Sequence, residues 1–272
     1  MTTCNNFEYN EEFYSVITPS AINSAEEIIP MIINLVRPQS VIDIGCGIGA
    51  WLSVWDKFGI KDYVGVDGNY INTARLLIDR NKFLPKNLER GFSMTRKFDL
   101  VTSLEVAEHL NKDTAEKFVE TLCNLGNVIL FSAAIPGQEG THHLNEQYPS
   151  YWNKLFMKND FILLDCIRSK IWTNEKIDLW YRQNILLFVK KVYLNSSNEL
   201  NLKAIHTDEN FIDLVHPQYF NYKSNKVIYY ENLLNHTIRQ KKHSAFLGFY
   251  DKLKRKINSF YNLLKRYVGA NS

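Results

Sequence analysis

Val41-Ile-Asp-Ile-Gly-Cys-Gly-Ile-Gly-Ala50 is the stretch on which the reading of this chain turns. Its first four residues, apolar and β-branched around a single acid, have the pattern of a short buried strand. Three alternating glycines follow, Gly45, Gly47 and Gly49, which let a backbone approach a ligand closely where the next helix begins. Asp67 closes the next apolar run, Tyr63-Val-Gly-Val66, 24 residues after Asp43, where a carboxylate can accept both hydroxyls of a ribose. Together these residues outline a nucleoside pocket. The spacing Gly45-x-Gly47-x-x-Ala50 also satisfies the dinucleotide fingerprint, so spacing alone leaves a nicotinamide cofactor and S-adenosylmethionine (SAM) both open.

Working outward, further apolar runs appear at Phe98–Val101, Val128–Phe131, Phe161–Ile167 and Asn184–Val189, with a weaker one at 82–84. Segments long enough for helices separate the first four clear runs. Continuous apolar strands alternating with helices predict a mostly parallel sheet covered on both faces, an α/β architecture. Ser24-Ala-Glu-Glu27 has the form of a capping box and predicts a helix from there to Pro38. Asn195-Ser-Ser-Asn198 reads as a linker, which divides the chain into residues 1–194 and a mostly helical extension over 195–272. At 272 residues, with 45% apolar and 22% charged residues, the chain supports one large domain plus an appendage and excludes disorder throughout.

The net charge of +3 hides an asymmetry. Residues 239–272 hold nine Lys or Arg against one acid, Asp251, so this tail carries +8 and the residues before it −5. An acidic body argues against a broad nucleic-acid surface, and no nucleic-acid partner is expected. In the tail, apolar residues at 246, 250, 253, 257, 260, 264 and 267 step by three and four between lysines and arginines, a basic amphipathic helix. Such a helix over 246–268 either packs on its own domain or a second subunit, or lies at a membrane face. The start lacks a basic and apolar leader, no run suits a spanning helix, and Cys4, Cys46, Cys123 and Cys166 form no CxxC pair. A cytoplasmic protein with reduced thiols is the expectation, peripheral at the inner membrane face if the tail binds lipid.

Over roughly residues 35–192 the chain resembles the class I SAM-dependent methyltransferases. The resemblance rests on Asp43-Ile-Gly-Cys-Gly-Ile-Gly49, Asp67, Phe98-Asp-Leu-Val-Thr-Ser-Leu-Glu-Val-Ala-Glu-His109 and the final strand pair, in that order. It implies the Rossmann-like, seven-stranded class I fold and SAM as cofactor. It further implies that Asp43, Gly45, Gly47 and Gly49 meet the methionine end, that Asp67 holds the ribose, and that Asn87 and Leu88 meet the adenine. That family commonly has Asp where this chain has Asn87.

Glu105-x-x-Glu108-His109 would bring two carboxylates and an imidazole to one helical face, which suits a metal or, equally, solvated acids in a first helical turn. Thr141-His142-His143 follows the next strand, whose loop should face that turn across the site. A Glu, Glu, His, His set of this kind resembles the metal site of small-RNA 2′-O-methyltransferases. The resemblance implies Glu105, Glu108, His109 and His142 as ligands, with His142 preferred to His143. Mixed oxygen and nitrogen donors suit Mn²⁺, Fe²⁺, Co²⁺ or Ni²⁺ better than Mg²⁺. Without a metal, His109, His142 or His143 would serve as general base, with Glu105 beside them among the catalytic candidates.

Gly140-Thr-His-His-Leu-Asn-Glu-Gln-Tyr-Pro-Ser-Tyr-Trp152 mixes donors, acceptors and flat rings. That mixture suits a saccharide, although Asn145 to Gln147 could cap a helix and Tyr151 and Trp152 could be core. With Trp180-Tyr-Arg-Gln-Asn184 and His216-Pro217, this string is similar to methyltransferases of bacterial capsule, lipopolysaccharide and nucleotide-sugar pathways. That similarity implies an O-methyltransferase acting on a sugar hydroxyl of a nucleotide-activated sugar or surface glycan. The alternatives are a methyltransferase acting on a phosphoramidate or another small acceptor, a nicotinamide-dependent oxidoreductase, and a SAM-binding protein without turnover.

Overall fold

The buried apolar runs form one seven-stranded sheet. In a computed structural model that describes residues 11–194, 200, 207–240 and 252–259, the strands are β1 (Ser40–Ile44), β2 (Asp62–Asp67), β3 (Phe83–Pro85), β4 (Leu100–Leu104), β5 (Val128–Ser132), β6 (Phe161–Leu164) and β7 (Leu186–Lys190). Their order is β3-β2-β1-β4-β5-β7-β6; all neighbours run parallel except β7, which is antiparallel to both β5 and β6. Every residue of β1, β4 and β5 is buried, as expected of central parallel strands with both faces covered. The fold is the mostly parallel α/β class that the sequence led us to expect.

Two apolar layers cover the sheet. Helix α1 (Glu11–Val36) and helix α2 (Ala50–Lys57) bury Ile28, Ile29, Ile32, Trp51 and Trp55 against one face. Helix α3 (Ala115–Leu125) and helix α4 (Pro149–Met157) bury Phe118, Leu122, Trp152 and Phe156 against the other. Phe156 stacks on Phe188 with ring centroids 3.9 Å apart, and Phe131 packs edge-on against both. Short helices α5 (Arg168–Ile171) and α6 (Leu179–Asn184) then lead into β7.

Two expectations change. Ser24 is no cap: α1 already begins at Glu11, and the Ser24 hydroxyl accepts the Asp178 amide (3.0 Å) from inside the helix. The chain divides at 216/217 instead of 194/195, because residues 207–216 are tied to the first unit. Arg168 donates to the Ile212 carbonyl (2.9 Å) and Gln183 to that of Leu214 (2.6 Å). The second unit contains a 24-residue helix, Pro217–Gln240. Of the amphipathic stretch over 246–268, residues 252–259 are described and helical, and the rest lies outside the described residues. Among the described residues no helix is long and apolar enough to cross a membrane.

Candidate active site

The carboxyl ends of β1, β2, β4 and β5 converge where the strand order reverses, the place at which open α/β sheets bind ligands. Gly45 leaves β1 at φ +83°, and a Cβ there would lie 2.3 Å from Cγ2 of Val106, so the loop demands glycine for both backbone and space. The Gly47 amide donates to Oδ2 of Asp67 (2.7 Å), while Oδ1 of Asp67 accepts the Gly68 amide (2.6 Å) and the Tyr70 hydroxyl. Burial raises the Asp67 carboxyl, and these donors oppose that shift.

Asp43 lies beneath the loop, 4% exposed, and accepts the Thr102 hydroxyl at 2.6 Å. Burial pushes its carboxyl up to about 7; the Thr102 bond opposes that rise and the Asp67 charge adds to it. Gly49 caps α2 in a left-handed conformation. Asn87 and buried Leu88 follow β3, whose last residue, Pro85, pairs with Asp67. The Asn87 side chain accepts the Glu89 amide (3.0 Å), so its oxygen caps a turn.

The Glu-x-x-Glu-His segment is not the face of an α-helix. Glu105 follows β4 with φ +55°, and its amide donates to both the carbonyl and the hydroxyl of Ser132, each at 3.0 Å. Only residues Ala107–His109 form a turn, of the 3₁₀ type. The carboxylate of Glu105 is held by Nε2 of Gln138 (2.7 Å) and Nδ2 of Asn184 (3.0 Å). Glu108 is fully buried, and neither of its carboxylate oxygens meets a donor in hydrogen-bond geometry. Its carbonyl, in contrast, accepts the amides of Leu144 (2.8 Å) and Asn145 (2.9 Å) from the loop after β5.

That loop brings His143 to the turn. Donor atoms of Glu108, His109 and His143 lie within 4.8 Å of one another, and the two imidazole rings meet edge to face with centroids 4.9 Å apart. The expected ligand His142 is exposed, with a left-handed backbone (φ +56°) that separates its side chain from that of its neighbour. Of the expected four, Glu108 and His109 therefore cluster, His143 takes the place of His142, and Glu105 turns to the amides of Gln138 and Asn184. Burial raises Glu108 well above the usual carboxyl range, and the nearby charge of Glu105 adds to this. Burial, then the charge of His143, lowers His109 to about 4, so it is a neutral imidazole at pH 7: a good ligand and a weak base.

The pocket also uses residues that the sequence did not single out. Tyr70 bonds Asp67, and Gln138 restrains Glu105 from a loop 33 residues away. Asn184 and Glu146 lay inside quoted strings without a role; Oε1 of Glu146 meets Nδ1 of His143 at 2.8 Å. The rings expected to suit a saccharide divide differently. Trp152 is 2% exposed and packs on Phe131 (centroids 5.3 Å apart), so it belongs to the core. Tyr181 packs edge-on against Trp51 and accepts its indole N–H at 3.1 Å.

A family model described as a methyltransferase domain matches residues 23–178. No curated protein matches the chain. Among solved structures, DesVI of Streptomyces venezuelae superposes with a TM-score of 0.52 at 13% identity, over 70% of this chain and 99% of that one. The small RNA methyltransferase HEN1 gives 0.46 at 17% identity, over 61% of this chain and 25% of that one. The methyltransferase domain of bacterial CtHen1 gives 0.47 at 18%, over 62% and 98%. The matched residues carry the glycine loop, Asp67 and the Glu108 turn, and the chain belongs to the methyltransferase-domain family, as a SAM-dependent enzyme.

Proposed function

We propose that this enzyme transfers the methyl group of SAM to a hydroxyl of a carbohydrate, with the acceptor oxygen activated by a divalent cation held by Glu108, His109 and His143. The observation that carries the reading is the carboxylate of Glu108, fully buried, with neither oxygen in full hydrogen-bond geometry and only the backbone amides of Glu108 and Ala134 to offset its burial. A buried, unsatisfied carboxylate is costly unless a proton or a cation meets it. The two imidazoles beside it complete a donor set suited to Mn²⁺, Fe²⁺, Co²⁺ or Ni²⁺. Gly140 fits the same reading, because a Cβ there would come within 2.2 Å of Nε2 of His143 and crowd the nitrogen left for a ligand.

When bound, SAM supplies an electrophilic methyl group and the cation a Lewis acid that lowers the pKa of an alcohol. The residues of this chain do the rest. The glycine loop, Asp43 and Asp67 receive the adenosyl and methionine ends. Glu105, fixed by Gln138 and Asn184, lines the acceptor side with groups that pair with hydroxyls. Holding acceptor oxygen, methyl carbon and sulfur in line supplies most of the catalysis such a displacement needs. His109 is too weak a base near pH 7 to take the acceptor proton, which favours its role as a ligand. The hydroxyl-rich character of a sugar fits the amides and carboxylates of this side, and the −5 of residues before 239 disfavours a polyanionic RNA acceptor.

The test uses the full chain with SAM and a panel of nucleotide-activated hexoses and heptoses, followed by mass spectrometry for the gain of one methylene. Turnover should vanish on chelation, return with Mn²⁺ or Co²⁺, and fall at least 100-fold in Glu108→Gln while S-adenosylhomocysteine binding stays within about threefold. A rate indifferent to exhaustive chelation would overturn the cation, and no methylated carbohydrate in the panel would overturn the acceptor class.

A further inference from the structure

The loop between β5 and α4 is held in a strained path. Gly137, Glu139 and His142 all have left-handed backbones, at φ +83°, +63° and +56°, and two of the three are not glycine. Two ties hold it. On one side the amides of Leu144 and Asn145 bond the carbonyl of Glu108. On the other, Glu146 folds back into the loop: Oε2 accepts the Gly137 amide (2.6 Å), and Oε1 accepts the Glu139 amide (2.9 Å) and meets Nδ1 of His143 (2.8 Å). The side chains of His143 and Glu146 are only 11% and 20% exposed, so water competes little for this contact.

We infer that Glu146 is a positioning residue that fixes His143 in the tautomer with its proton on Nδ1, presenting Nε2 as the third ligand atom beside Glu108 and His109. This rests on the divalent-cation reading above. Oε1 of Glu146 already receives an N–H from Glu139, so it acts as an acceptor, and the imidazole nitrogen facing it must donate. A neutral imidazole that donates from Nδ1 has its lone pair on Nε2. A carboxylate behind a histidine ligand both orients the ring and strengthens its donation to a metal. Gly140 leaves room for that nitrogen, since a Cβ there would approach Nε2 to 2.2 Å. Glu146 thus joins the geometry of the loop to that of the ligand.

The test uses the full chain in two measurements. Long-range ¹H–¹⁵N spectra of the cation-free wild type, with the His143 signals assigned by His143→Gln, should show the Nδ1–H tautomer; finding Nε2–H overturns the inference without any further variant. Mn²⁺ titration calorimetry should then show Glu146→Gln binding at least tenfold more weakly than wild type, with mixed His143 tautomers and an unchanged circular dichroism spectrum. Wild-type Mn²⁺ binding with an affinity change below threefold in Glu146→Gln overturns the role of Glu146 alone. A wild type that binds no Mn²⁺ overturns the cation reading and this inference with it.

Discussion

Replacing Asp43 by asparagine should change how stability depends on pH more than it changes stability itself. In the folded chain burial holds the Asp43 carboxyl at about 7, against 3.8 for an ordinary aspartate. Below 3.8 both folded and unfolded chains are protonated there and the site costs nothing. Between 3.8 and 7 the unfolded chain has released a proton that the folded chain retains, so stability falls as pH rises, and above 7 the loss is complete. The separation of 3.2 pH units, at about 1.4 kcal/mol each, sets the loss at about 4 kcal/mol.

The asparagine side chain has no such loss, but its amide nitrogen would occupy a buried position with no acceptor provided, costing about 1–3 kcal/mol at every pH. Its oxygen can still accept the Thr102 hydroxyl. The two effects predict a crossover: Asp43→Asn is less stable than wild type near pH 4 and more stable, by about 1–3 kcal/mol, at pH 8. Urea unfolding of the cofactor-free chain at pH 4, 5, 6, 7 and 8 measures this directly, because titrating groups other than Asp43 and its neighbour Asp67 cancel in the difference. Parallel curves for the two proteins would refute the argument, since they would mean that Asp43 ionises alike in both states.

Gly45→Ala should destabilise the chain by about 2–5 kcal/mol, from a left-handed backbone and overpacking, and abolish S-adenosylhomocysteine binding because its Cβ strikes Val106. Gly137→Ala is the control, with the same φ of +83° and nothing within 4 Å of the added carbon; thermal unfolding should show only about 1–2 kcal/mol there. Tyr70→Phe should tighten S-adenosylhomocysteine about three- to tenfold by calorimetry, because Asp67 has three of its roughly four acceptor positions filled and two ribose hydroxyls must displace the Tyr70 hydroxyl. Weaker binding in that variant would instead make Tyr70 part of the cofactor's own contacts.

The features legible in the sequence are those set by short-range pattern. Apolar runs announced the strands within two or three residues at their ends, and a glycine alternation followed by a distant acid announced the left-handed loop after β1 and its bond to Asp67, because strand burial and left-handed turns leave local marks. The turn over residues 105–109 was harder to read for a physical reason. Glu105, Glu108 and His109 were expected to share a face by α-helical spacing, but the chain leaves β4 through a left-handed Glu105 into a single 3₁₀ turn, and no residue-type pattern marks that departure. His142 and His143 are equal in chemistry and adjacent in sequence; a positive φ at the first decides which one reaches the site.

Gln138 and Asn184 approach Glu105 from 33 and 79 residues away, and both depend on the placement of elements around β5 and β7. The same sheet that aligns the glycine loop therefore also brings Gln138 and Asn184 to Glu105, and Val106 joins the two regions: it lies against Gly45 on one side and sits between Glu105 and Glu108 in the chain. A cofactor that shifts the glycine loop would press on Val106 and hence on the turn that carries Glu108. The bound nucleoside and the proposed cation site should for that reason be thermodynamically coupled, each altering the affinity of the other by the same factor.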